Sequence, residues 1–183
     1  SSFRILDYPN RNYKAYKEDV ASHGEICLLE HEADKAHQMS DVLLSNKIVS
    51  DLIRGTNSES KIEYEVPGIQ DFHGNMWKGK ADIINHDEKL VIDIKTSSDI
   101  ERFKWSVRDY NYDSQAYLYS RIFGYELIFV VIDKNTHKIN IFEVSEETIF
   151  NGEKKVFEAN AIYDLYFKTN GFDPKEYIET KIV

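Results

Sequence analysis

The chain has 183 residues, 42% hydrophobic and 13% aromatic, which suits one domain with a sizeable core and excludes wholesale disorder. Its 23 Lys and Arg stand against 32 Asp and Glu, a formal net charge of -9. That weighs against passive, non-specific binding of nucleic acid, though not against an enzyme that meets phosphate through cations and a local basic patch.

In chain order, residues 1–10 read as an extended lead-in. They lack the basic-then-apolar order of a secretory leader, and a reducing cytoplasm is the expected compartment. The chain does not begin with Met and reads as a trimmed or tagged fragment. The charged stretch Asn10–Glu18 reads as a short surface helix. The sole cysteine, Cys27, is read as a small packed residue, and it excludes a disulfide framework, a Cys-based zinc site and a four-cysteine iron–sulfur cluster. A helix is predicted over Leu28–Leu52, where Ala33, Ala36, Met39, Val42, Leu43 and Val49 fall near helical spacing. Gly55, Asn57 and Ser58 break it.

Lys61–Val66 alternates like a strand, and Pro67, Gly68, His73, Gly74 and Asn75 read as a turn-rich connection. Two apolar runs, Met76–Ile84 and Lys89–Thr96, flank a polar turn and outline an antiparallel hairpin. After a polar segment, a helix is predicted over Tyr112–Phe123, closed by Gly124. Glu126–Asp133 is the most apolar strand, yet its run Leu127–Ile132 is far below the ~20 residues of a membrane span. A strand over Lys138–Val144 follows, then a long helix over Glu146–Lys168 closed by Asn170 and Gly171. The predicted fold class is α/β: a mixed central sheet of about five strands flanked by helices. One domain is expected, with a helical segment over 1–56 and the core over 57–183.

The hairpin carries the chemistry. With its turn centred between Asp87 and Glu88, Asp82 lies across from Asp93 and Lys80 across from Lys95, and alternation puts all four on one sheet face. Opposed residues have Cβ atoms about 4.5–5.5 Å apart. Two carboxylates that close repel each other, and VIDIKT surrounds Asp93 with β-branched apolar residues. Solvated carboxylates on an edge strand are the plain alternative. A buried carboxylate without a partner costs several kcal/mol, so a divalent cation between the two acids is the stronger reading. Mg²⁺ takes oxygen ligands and is often held by one or two carboxylates. Lys95, on the same face, can orient or deprotonate a water and stabilise charge growing on phosphorus.

KGKADII, then VIDIKT, then YNYDSQAYLY resembles the D-x(n)-(D/E)-x-K core of the PD-(D/E)xK nuclease superfamily. Gln115 and Tyr119 have the Q-x-x-x-Y spacing of its recombination exonucleases. The set is most similar to the RecE-like (exonuclease VIII type) phage and prophage exonucleases, and RNYKAYKEDVASHGE with EADKAHQM extends the likeness over most of the chain.

The resemblance implies a restriction-endonuclease-like core and a metal-dependent exonuclease. It would digest one strand of linear double-stranded DNA from the 5′ end, leaving a 3′ single strand for an annealing protein. It further implies Mg²⁺, with Mn²⁺ able to substitute and two ions per site, and a ring-shaped homo-oligomer with no membrane association. Asp82, Asp93 and the Ile94 carbonyl resemble the metal ligands, and Lys95 the catalytic lysine. Gln115 and Tyr119 would sit beside the site and position the DNA end or a water. Glu59 is the first candidate for an upstream acid and Glu63 the second. Relatives also carry a histidine in an A-L-H context on an N-terminal helix, for which His23, His31 and His37 offer no equivalent. Two alternatives stand beside this reading: an endonuclease on the same core, and a catalytically weak DNA-binding module.

Lys78, Lys80, Arg102, Lys104, Arg108 and Arg121 read as a phosphate track in an acidic chain, against a solvated-surface alternative. Trp77, Trp105, Tyr110, Tyr112 and Tyr119 are candidates to stack unpaired bases, with Trp105 the better one for wedging a duplex end. Tyr117 reads as core. His31 and His37, six apart, face different sides of their helix, and His73, His86 and His137 read as polar turn residues.

Overall fold

The computed structural model describes residues 3–23, 26–173, 175 and 178. Gly24 and Glu25, the end of the upstream stretch compared above, lie outside the described residues. The lead-in forms strand β1 (Phe3–Leu6), parallel to β2 (Ile26–Leu29), with helix α1 (Lys14–His23) between them. Leu6, Tyr16, Cys27 and Leu29 make their own small apolar cluster. The short helix therefore runs four residues later than its charge pattern predicted, and Leu28 and Leu29 belong to a strand.

The single helix expected over Leu28–Leu52 is two, α2 (Glu30–Ser45) and α3 (Lys47–Arg54). Asn46 separates them: its backbone is extended and its side chain accepts the Val49 N–H, an N-cap that starts α3 afresh. Helical periodicity runs through this break unaltered.

Five strands form the main sheet in the order β3 (Ile62–Phe72), β4 (Asn75–Asn85), β5 (Leu90–Ser97), β6 (Glu126–Asp133) and β7 (Ile139–Glu143). Within this sheet, among the described residues, only β5 and β6 pair in parallel. The mixed sheet is as predicted, but β3 runs through Pro67 and Gly68, and only His73 and Gly74 turn. Pro67 is tolerated because β3 is an edge strand, where a missing N–H breaks no ladder.

Between β5 and β6 lie a short 3-10 turn (Ile100–Arg102), α4 (Phe103–Asp109) and α5 (Tyr112–Phe123). The segment carrying α4 was expected to be merely polar. Phe103, 2% exposed, anchors it in the core. Gly124 closes α5 in the left-handed conformation, with φ 75°. The last helix, α6, spans Glu146–Phe167. Phe103, Ala116, Val91 and Phe129 pack on one face of the sheet, and Leu43, Val49, Ile53, Ile92 and Val130 on the other. Among the described residues no helix is long and apolar enough to cross a membrane.

Candidate active site

The hairpin register is the predicted one: Ile83 faces Ile92, Ile84 faces Val91 and Asn85 faces Leu90. The ladder stops there, and the strands part at the next pair, Asp82 and Asp93. β3 and β4 both roll at this point. Tyr64 donates its hydroxyl to Ile53 O on α3, whereas Val66 packs in the α5-side cluster. Ile83 likewise packs against the α2–α3 side and Ala81 against the α5 side. Residues two apart in a regular strand share a face, so the alternation slips by one at Glu65 and Asp82. Glu65 has φ 55°, a left-handed backbone that costs a non-glycine residue about 1–3 kcal/mol.

This slip corrects one expectation. Asp93 and Lys95 do share the α5 face, but Asp82 leaves β4 sideways into the gap, where its Oδ2 accepts the Ile94 N–H at 3.2 Å. Lys80 is not opposite Lys95; it pairs with Glu65 on the exposed side. The Ile94 carbonyl leaves β5 on the same side as its N–H, as in any extended strand, so it too faces the gap.

Asp93 is 3% exposed. Its Oδ1 accepts from Gln115 Nε2 at 2.5 Å. Its Oδ2 lies 2.6 Å from Lys95 Nζ but receives no aligned hydrogen bond. Lys95 Nζ also lies 4.7 Å from the centre of the Tyr112 ring, an aromatic wall that attracts the ammonium. Burial, then the neighbouring Asp93 charge, push the Asp82 carboxyl above its ordinary range.

Tyr119 stands against β4. Its hydroxyl accepts the Lys80 N–H at 3.3 Å and donates to Lys80 O at 3.1 Å. Its ring fits because Gly79 has no side chain; a Cβ there would come within 2.7 Å of it.

Two carboxylates and a peptide carbonyl around one gap are a hard oxygen donor set, which suits Mg²⁺ or Mn²⁺. Among the described residues no three His, Cys, Asp or Glu side chains converge at metal-holding range.

Glu59 does not join this set. It sits in the turn between α3 and β3, its N–H on Asn57 Oδ1, six residues from the register position of Asp82. Glu63 lies near the same end, 3.3 Å from His86 Nε2. The acid at the register position opposite Asp82 is Glu65, which the sequence analysis did not single out. Its signal was the β3–β4 register, hidden because Pro67 and Gly68 were read as a turn.

The basic residues divide. Lys78 and Lys80 project from the outer side of the β3–β4 hairpin, while Arg102, Lys104, Trp105 and Arg108 line one recess of about 570 Å³ beyond the end of β5. Lys104 Nζ lies 4.3 Å above the Trp105 ring, and Trp105 is 53% exposed. Arg121 is apart from both, over the Tyr117 ring. Tyr117 is buried. Trp77 is tied to α6 through Nε1 and Asn160 Oδ1. His31 and His37 are exposed on α2, and His73 and His137 occupy turns.

A solved structure at low identity shares this fold. A putative exonuclease from Eubacterium rectale superposes with a TM-score of 0.62 at 18% identity, over 92% of this chain and 70% of its own. A phage-related exonuclease from Haemophilus somnus 129PT gives a TM-score of 0.46 at 16% identity, over 89% and 90% of the two chains. No curated protein matches the sequence. The family model described as a PDDEXK-like domain of unknown function (DUF3799) matches residues 6–174, and the chain belongs to that family.

Proposed function

We propose that the protein is a divalent-cation-dependent DNA exonuclease of the RecE-like type, hydrolysing phosphodiester bonds in one strand of linear double-stranded DNA. The convergence of Asp82, Asp93 and Lys95 at the fork between β4 and β5 is the observation that carries this reading. Asp82, Asp93 and the Ile94 carbonyl would hold Mg²⁺, or Mn²⁺ in its place, with two ions per site. When bound, the ions supply positive charge to the attacking and leaving oxygens of an in-line displacement.

Lys95 orients a water or takes its proton, and its ammonium form offsets charge on the phosphate. Gln115 fixes the Asp93 carboxylate, and the Tyr112 ring confines Lys95. Lys78, Lys80, Arg102, Lys104 and Arg108 meet phosphates of the substrate, and Trp105 stacks a base at its end. Digestion from the 5′ end, hand-over of a 3′ strand to an annealing protein, ring assembly and a cytoplasmic setting follow from the family resemblance.

Asp93→Ala is expected to abolish Mg²⁺-dependent degradation of linear duplex while the circular dichroism spectrum is retained. Unchanged degradation would remove the assignment. Covalently closed circular DNA, which only an endonuclease cuts, is expected to survive the wild-type enzyme.

A further inference from the structure

The two edges of the main sheet are built differently. β3 is guarded by Pro67 and by the left-handed backbone at Glu65, features that discourage another strand from pairing there. β7, the other edge, reads INIFE and holds no Pro, no Lys and, in its ladder with β6, no bulge. Among the described residues its outer row of backbone N–H and C=O groups has no strand beside it. A groove of about 620 Å³ adjoins it, lined by Leu90, Ile128, Ile141 and Phe150. Ile141 is 40% exposed and Phe150 53%, so apolar surface stands open to water next to the free edge. Four glutamates line the same groove, Glu126, Glu143, Glu146 and Glu153, and no Lys or Arg does. Glu153 accepts the Tyr117 hydroxyl. Glu126, Glu143 and Glu146 pair with no cation among the described residues.

We propose that β7 and this groove dock an extended segment of a partner protein, one that alternates apolar residues with Lys or Arg and adds as a further strand beside β7. Main-chain hydrogen bonds to the free edge supply affinity, and alternate side chains supply the choice of partner. Ile141 and Glu143, two apart on β7, share one face. An apolar side chain of the added strand therefore covers Ile141, and a cationic one two residues away meets Glu143. Nucleic acid is the wrong occupant, because the glutamates repel phosphate. A second copy meeting β7 edge to edge would bring two acidic grooves together, which like charge opposes. The groove lies at the start of β5, beside Leu90, and the recess of Arg102, Lys104 and Arg108 lies beyond its end, roughly 20 Å of strand away. DNA and partner are thus held at opposite ends of the sheet, and neither displaces the other. This docking surface is independent of the cation site.

Fluorescence anisotropy of labelled peptides on the full chain tests this. The probe is a short peptide of alternating Val and Lys, and its controls alternate Val with Glu and Ser with Lys. The Val–Lys peptide is expected to bind at least tenfold more tightly than either control and to slow amide exchange over residues 139–143. Glu143→Lys and Phe150→Ser, both at exposed positions, are each expected to weaken its binding tenfold or more while thermal unfolding stays cooperative. Asp34→Lys, exposed on α2 and outside the groove, controls for net charge and is expected to bind within twofold of wild type. Linear duplex DNA, added without a divalent cation, is expected to leave peptide binding unchanged. A Val–Lys peptide that binds no better than the Ser–Lys one, or leaves exchange in β7 unaltered, overturns the proposal. So do an equal loss in Asp34→Lys, unchanged affinity in both groove variants, and displacement of the peptide by the duplex. Light scattering that shows a wild-type dimer, dissociated by Phe150→Ser, overturns it as well, since the occupant is then a second copy of this chain.

Discussion

Single side chains decide how the fork is held open. Tyr119 satisfies both backbone groups of Lys80 with one hydroxyl, where β5 would otherwise have continued the ladder. Tyr119→Phe removes both bonds and is expected to lower stability by about 1 kcal/mol. Faster hydrogen exchange at the Lys80 amide and slower cleavage of linear duplex are expected with it. An unchanged exchange rate would show that the hydroxyl holds nothing.

A second residue-scale effect concerns acid stability. Glu32 is held at about 2 by Arg11, whose guanidinium bonds both carboxylate oxygens, and then by the Leu29 N–H. A carboxyl depressed below its ordinary 4.5 stabilises the fold while it is ionised. That contribution is complete above pH 4.5 and is lost as pH falls toward 2. Protection of the Leu29 amide is expected to decline over that window, and the decline is expected to vanish in Glu32→Gln.

Among the elements, α5 carries most of the site's support, and α6 fixes α5. The two helices meet at Gly152, where a Cβ would lie 2.1 Å from the Asp113 carbonyl oxygen. The contact is backbone against backbone position, so no flexible side chain can give way. Lys155 binds the buried Asp113, together with Asn111 and Arg108 O, at the same junction. Gly152→Ala is expected to cost about 1–3 kcal/mol by overpacking, measured by urea unfolding. Because the shift is carried along α5, a looser Gln115–Asp93 contact and reduced nuclease activity are expected with it.

Over the whole molecule, the legible parts are those written in local pattern. β5, β6 and α5 were placed within a residue or so by apolar runs, alternation and Gly124, and the β4–β5 register followed from the turn position alone. Strand alternation put Asp93 and Lys95 on one face, and the family resemblance singled out Gln115, which the structure sets against Asp93. Glu59 and Glu63 were weighed and Glu65 was not, because Pro67 and Gly68 look like a turn until β3 is known to be an edge strand. α4 was missed because its apolar residues Phe103, Trp105 and Val107 alternate with polar ones over only seven residues. The break at Asn46 was missed because the helical rhythm continues through it.

The sequence alone therefore determined the fold class, the hairpin register and the acid–acid–lysine set, since each depends on spacing within one or two neighbouring segments. Only the tertiary structure decided that β4 and β5 part at Asp82, that Lys80 turns to Glu65, and that Tyr119 ends the ladder. Those outcomes depend on a roll shared by two strands and on a helix some forty residues downstream. No pattern within a single segment encodes a contact whose geometry is set by three elements at once.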